Sequence, residues 1–220
     1  MQMTSTIRDT DAATPARVTS QLEAHRFRRV VAAGRPQVDP AAAERAATDL
    51  IRALGMDLTD ESLADTPRRM SQALIEMTSG PSFELTTFPN DEGYDEMVMV
   101  KDITVQSLCE HHLLPFVGVA HIGYLPSDRI LGLSKFARMV ELHARRPQTQ
   151  ERLTKRIADH LQTALAPHGV GVVIEARHTC MSLRGARTPN ALTTTSAMFG
   201  RMRDDARSRA EFLALTRSTS

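Results

Sequence analysis

Cys109-Glu110-His111-His112 carries the densest chemistry in the chain. Cys109 and His112 stand in C-x-x-H spacing, which lets two side chains of one turn reach a single cation. The second cysteine, Cys180, closes His178-Thr179-Cys180, just beyond the branched apolar run Val170 to Ile174. Two thiolates and one imidazole form a soft donor set that suits zinc, and three protein ligands leave a position for water. A metal so held lowers the pKa of its water towards about 7. His111 and His178 adjoin the ligand segments and suit general acid–base work near neutral pH. A blander reading stands beside this one. Two cysteines without a disulfide framework are commonly small buried hydrophobes, and C-x-x-H alone is a weak motif.

The second constellation is cationic. Lys135 and Arg138 lie three apart at the start of one predicted helix. Arg145-Arg146, Arg152, Lys155 and Arg156 follow, and Arg184 and Arg187 lie just past Cys180. Solvated helix faces account for most such charges, but cations near the metal segment can hold a polyphosphate by charge-assisted bonds. Gln150-Glu151 is unremarkable by spacing, although a carboxylate there can accept two N–H donors from one ligand edge.

Helices and strands must bring these segments together. Asp39-Pro40 reads as an N-cap with proline at the first helical position. Ala43, Ala46, Ala47, Leu50, Ile51 and Leu54 follow at helical spacing up to Gly55. A second helix starts at Thr66-Pro67 and stops at Gly80-Pro81, so the two make a hairpin. Strands are expected from Met97 to Val105, Val117 to Leu125, Val170 to Ile174 and Thr193 to Phe199. Helices are expected over Ser134 to Arg146, Gln148 to Ala166 and Asp204 to Thr216, and a further one is allowed over Gln21 to Val31. Strands and helices do not alternate as βαβ units, so the class is α+β with an antiparallel sheet. No Gly-rich phosphate loop is present.

Composition bounds the partners. A chain of 220 residues suits one domain, or one domain with a helical appendage. Lys+Arg 27 against Asp+Glu 26 gives a net charge of +1, which speaks against bulk electrostatic binding of nucleic acid. Trp is absent and aromatics make up 4%, so a stacking platform for single strands is not expected. No segment approaches the roughly 20 apolar residues of a spanning helix, and the N-terminus has no apolar signal core. A cytoplasmic, reducing location and no membrane partner are expected.

Several ordered motifs resemble GTP cyclohydrolase I. They are Asp65-Thr66-Pro67-x-Arg69, Cys109-Glu110-His111-His112 and Gly132-Leu133-Ser134-Lys135-Phe136-Ala137-Arg138. Arg146-Pro147-Gln148-Thr149-Gln150-Glu151-Arg152-Leu153-Thr154 follows, then His178-Thr179-Cys180-Met181 with Arg184-Gly185, and Thr193-Thr194-Thr195-Ser196. The resemblance runs from about residue 40 to 217. It implies a T-fold (tunnelling fold), an antiparallel sheet with helices on one face, preceded by the N-terminal helical hairpin. It also implies zinc-dependent conversion of GTP to 7,8-dihydroneopterin triphosphate and formate, the first step of a pterin or folate-type synthesis.

By position, Cys109, His112 and Cys180 match the family's zinc ligands, and His111 and His178 its catalytic histidines. Gln150 and Glu151 match the guanine-recognition pair. Lys135, Arg138, Arg184 and Arg69 match residues that hold triphosphate, with Ser134 in the ribose and phosphate region. Subunits of the family join edge to edge into a closed toroid, usually a decamer, with sites between subunits. The expected division is a flexible N-terminal arm over 1–36, the helical hairpin over 37–94 and the T-fold catalytic domain over 95–220. The alternative from another class is a non-catalytic T-fold protein that binds nucleotide or serves assembly. Pro147 and Thr149 stand where many relatives carry other residues.

Overall fold

The computed structural model describes residues 28–30 and 37–217. Most of the expected arm, 1–27 and 31–36, lies outside the described residues. Arg28–Val30 corrects the helical reading of Gln21 to Val31: it is a strand, β1, antiparallel to β2 (Phe83–Leu85). An isolated helix of that length is marginal in water, whereas a waiting strand edge supplies backbone partners.

Helices α1 (Pro40–Ala53) and α2 (Thr66–Thr78) form the hairpin. Asp39 caps α1 by accepting from the Ala42 N–H at 3.0 Å. Asp65 does not cap α2 in this way, because its carboxylate pairs with Arg68 at 2.9 Å. The stretch after α2 carries two short strands, β2 and β3 (Thr87–Pro89), and β3 pairs with β6 (Arg129–Leu131). The hairpin is thereby tied to the body.

The body is a five-stranded sheet in the order β7-β4-β5-β8-β9. Its long strands β4 (Val98–Cys109), β5 (Pro115–Leu125), β8 (Gly169–His178) and β9 (Thr193–Gly200) are antiparallel neighbours. Helices α3 (Ser134–Ala144) and α4 (Gln150–Leu165) contribute Phe136, Met139, Val140, Leu153, Ile157 and Leu161 to one core with Ile122, Tyr124, Val172 and Ile174. This is the α+β T-fold architecture. Helix α4 starts at Gln150 rather than Gln148, because Pro147–Gln148 form a two-residue strand, β7, parallel to the end of β4.

The final helix, α7 (Ala206–Arg217), follows the one-turn α6 (Arg201–Asp204) and departs from the one-sided arrangement. Its Phe212 is fully buried with Leu125, Val173 and Met202 in a second cluster. A Cβ on Gly123 or Gly171 would meet the Phe212 ring at 2.9 or 2.8 Å. These glycines alternate with Ile122, Tyr124, Val170 and Val172, so Phe212 covers the sheet face opposite α3 and α4. No helix among the described residues is long and apolar enough to cross a membrane.

Candidate active site

Strand β4 delivers Cys109 at its C-terminal end. The chain then turns back within three residues. The Leu113 N–H donates to the Cys109 carbonyl and the Cys109 N–H to the Leu114 carbonyl, both at 2.9 Å. Leu113 takes a left-handed φ of 54° to close this turn. Strand β8, paired with β5, sets His178 opposite Phe116, and the short helix α5 (Thr179–Ser182) carries Cys180. The Thr179 hydroxyl donates to the Pro115 carbonyl at 2.6 Å, fixing α5 beside the start of β5.

The two motifs therefore meet. The ligand atoms of Cys109, His112 and Cys180 all lie within 4.8 Å of one another. The Cys109 Sγ is 3.8 Å from Nδ1 of His111 and 3.8 Å from Nδ1 of His112. Burial, and then the adjacent Cys109 thiol, push the Cys180 thiol above its usual range. Two sulfurs this close ionise together readily only with a cation between them, so the donor set fits zinc.

His178 stacks on Phe116, and its Nε2 lies 2.8 Å from Oε1 of Gln150. Burial lowers its pKa against the opposing pull of the Glu151 carboxylate. Glu151 is thus close enough for its charge to be felt at the ring. Gln150 itself is buried, and its Nε2 donates to the carbonyls of Ile174 at 3.0 Å and Thr193 at 2.9 Å, with the Thr195 hydroxyl at 3.1 Å.

The first turn of α4 is pinned to the cysteine turn. Thr149 caps the helix, accepting from the Arg152 N–H at 3.3 Å. Gln148 is fully buried, and its side-chain amide donates to the His143 carbonyl at 2.7 Å and to the Ser107 hydroxyl at 3.1 Å. The Ser107 hydroxyl in turn donates to the Ala144 carbonyl at 2.6 Å. The Glu110 N–H donates to the Gln148 carbonyl at 3.2 Å, and the Arg152 guanidinium pairs with the Glu110 carboxylate. Glu151 is left exposed on this turn.

Comparison with known proteins decides the family. The model of the family "GTP cyclohydrolase I" matches residues 43–217, most of the chain. The chain belongs to the GTP cyclohydrolase I family. It is similar to the "GTP cyclohydrolase 1" of Synechococcus sp. (strain JA-3-3Ab), 50% identical over 191 residues, which are 85% of this chain and 83% of that protein. It is also similar to the "GTP cyclohydrolase 1" of Mycobacterium leprae (strain Br4923), 52% identical over 182 residues, 80% of this chain and 89% of that protein. The "GTP cyclohydrolase 1" of Streptomyces avermitilis is 53% identical over 176 residues, 77% of this chain and 87% of that protein.

The residues implied for the triphosphate by the family resemblance differ in exposure. Ser134 and Arg138 are exposed and Lys135 half-buried on the first turns of α3. Arg184 is exposed just past α5, and its charge acts on the Cys180 thiol. Arg69 is exposed on α2, and its polar partners, Ser62, Asp65 and Thr66, all lie in the hairpin. His111 is exposed, with its Nε2 at 3.8 Å from the Glu110 carboxylate.

The Gln150 side-chain amide is engaged by the sheet on one side and by His178 on the other. Sequence reasoning gave no part to Phe116 and did not foresee what Arg152, Thr154 and Thr195 hold. Phe116 supplies the face under His178. Arg152, placed there only within the cationic constellation, anchors the cysteine turn through Glu110. Thr195 and Thr154, with hydroxyls 2.6 Å apart, close the network around Gln150. The threonine run at 193–195 was the only signal for the last of these.

Proposed function

We propose that this protein hydrolyses GTP at C8 and rearranges it to 7,8-dihydroneopterin triphosphate with release of formate. The observation that carries this reading is the meeting of Cys109, His112 and Cys180 beside His178, in a chain matching the family over residues 43–217. Cys109, His112 and Cys180 would hold zinc, which when bound supplies a Lewis acid that makes hydroxide available at neutral pH.

The chain's own residues do the rest. Glu151 accepts the two N–H donors on the guanine edge, and a purine without them leaves its carboxylate unpaired. Lys135, Arg138 and Arg184 hold the triphosphate, with Ser134 near the ribose. His178 moves the proton that lets the five-membered ring open, and His111, exposed beside the cysteine turn, serves the second proton transfer. The formamide is then hydrolysed and formate leaves, while the phosphates stay attached.

Arg69, whose partners lie in its own hairpin, serves the triphosphate of a neighbouring subunit's site. On this reading the protein is a homo-oligomer, a decameric toroid with sites between subunits, and works in the cytoplasm at the first step of a pterin or folate-type synthesis. Zinc-loaded protein incubated with GTP should release formate in step with a rise in pterin absorbance. Nucleotide binding without formate would mark a non-catalytic binding protein instead.

A further inference from the structure

Two turns separated by 42 residues of chain must face one substrate. The cysteine turn carries Cys109 and His112 on either side of Glu110, and the first turn of α4 carries Glu151 beside Arg152. Their roots are held by backbone. Strand β7 pairs with the end of β4, with Gln148 opposite Cys109, and the Glu110 N–H donates to the Gln148 carbonyl at 3.2 Å. Their tips are held by a side-chain pair. Nη1 of Arg152 donates to Oε2 of Glu110, and Nη2 donates to Oε1 at 3.3 Å. Among the described residues this pair is the one side-chain bond between the two turns.

The pair is suited to geometry more than to stability. The Arg152 side chain is 46% exposed and that of Glu110 27%. An ion pair so open to water adds little to folding. A two-pronged contact still fixes direction, because a planar guanidinium meets both oxygens of a carboxylate at once and a lysine ammonium does not. The guanine edge and C8 lie at opposite ends of a rigid purine. A base gripped at one end by Glu151 therefore brings C8 to the metal turn only if the two turns keep one separation.

We propose that Arg152 is a positioning residue. Its fork on Glu110 holds the guanine turn and the metal turn at the separation that sets C8 of a bound guanine nucleotide against the cluster of Cys109, His112 and Cys180. The inference rests on the cyclohydrolase reading for the identity of the nucleotide. Arg152 acts through Glu110 and not on the base, so its loss misplaces the ring without releasing it. A misplacement of about 1 Å at a reacting centre costs on the order of a hundredfold in rate.

The test uses the full chain loaded with zinc, with Arg152→Met and Arg152→Lys as variants. Arg152→Met should slow formate release at saturating GTP by about tenfold to a hundredfold, with the GTP dissociation constant within about twofold of wild type. Zinc content and the thermal midpoint should be kept. Arg152→Lys keeps the charge without the fork and should be nearly as slow. A second readout needs no turnover. The probe is 7-deazaguanosine triphosphate, which keeps the guanine edge and the C8 proton but lacks N7. In cobalt-loaded protein the relaxation of that proton reports its nearness to the metal. It should be fast in the wild type and several-fold slower in Arg152→Met at equal occupancy.

Unchanged turnover in Arg152→Met overturns the proposal. So does weakened GTP binding with turnover at saturation unchanged, the mark of a direct contact with substrate. Zinc and turnover lost in parallel also overturn it, since Arg152 would then only support the ligands. Full turnover in Arg152→Lys overturns the fork. A wild type that releases no formate, yet shows the fast proton relaxation that Arg152→Met loses, overturns the reaction reading and leaves the positioning role supported.

Discussion

The imidazole of His178 lies almost flat on the ring of Phe116, with centroids 4.5 Å apart and planes 13° from parallel. Phe116 is fully buried, and the register of β5 against β8 places the two residues directly opposite each other. The strand pairing therefore fixes the ring plane of His178. Phe116→Leu keeps an apolar residue but removes the flat face. It should cost about 1 kcal/mol of stability and lower formate release more than GTP binding. Urea denaturation and a comparison of turnover with the GTP dissociation constant check both halves.

Cys180 sits on a one-turn helix whose anchor is the Thr179 hydroxyl, so its loss should not disturb the sheet. Cys180→Ser should lower zinc from one per chain and abolish formate release, with the thermal transition still cooperative. Zinc analysis of the purified variant is the check, and unchanged stoichiometry would remove Cys180 from the ligand set. Chelation of the wild type should do the same and be reversed by added zinc.

Glu151 is exposed on the first turn of α4, and its neighbours Arg152 and Thr149 are tied to other partners. Glu151→Ala should leave fold and zinc content intact. It should weaken GTP binding by about 2 kcal/mol or more, the scale of a lost charged hydrogen-bonding partner. Calorimetric titration with GTP measures this directly, and full activity in the variant would sink the guanine assignment.

Between α3 and α4, Nε2 of His143 meets Nδ1 of His160 at 2.8 Å. Burial, and then the charges of His160, Arg146 and Arg156, pull the His143 pKa down to about 3, and burial also lowers that of His160. In the unfolded chain both titrate near 6.5. Between about pH 6.5 and 3 the unfolded state therefore binds more protons. The stability tied to His143 is full above that window and is lost as pH falls through it, by up to about 1.4 kcal/mol per pH unit. His143→Leu should show a shallower loss of urea resistance below pH 6.5 than the wild type does.

The metal cluster was legible in the chain because its spacing is local. Cys109 and His112 share one turn, and Cys180 follows a run that reads as a buried strand. Helices α1 to α4 were legible from apolar periodicity. Residue type alone did not reveal what Gln150 touches: a glutamine beside a glutamate looks the same whether it faces a ligand or the sheet, and the difference lies in carbonyls 24 and 43 residues away. Strand β7 was missed because two residues around a proline carry no period. The place of α7 depended on Gly123 and Gly171, whose absent side chains acquire meaning only once Phe212 is seen above them.

The Ser107 hydroxyl bonds the carbonyls of Ala144 and Arg146, and the Gln148 amide closes the same knot from β7. The end of α3 and the end of β4 are thus a single rigid piece. Lys135 and Arg138 ride on one end of that piece and Cys109 on the other. A shift at Ser107 or Gln148 would therefore be felt at both ends at once, as a blow to the middle of a beam is.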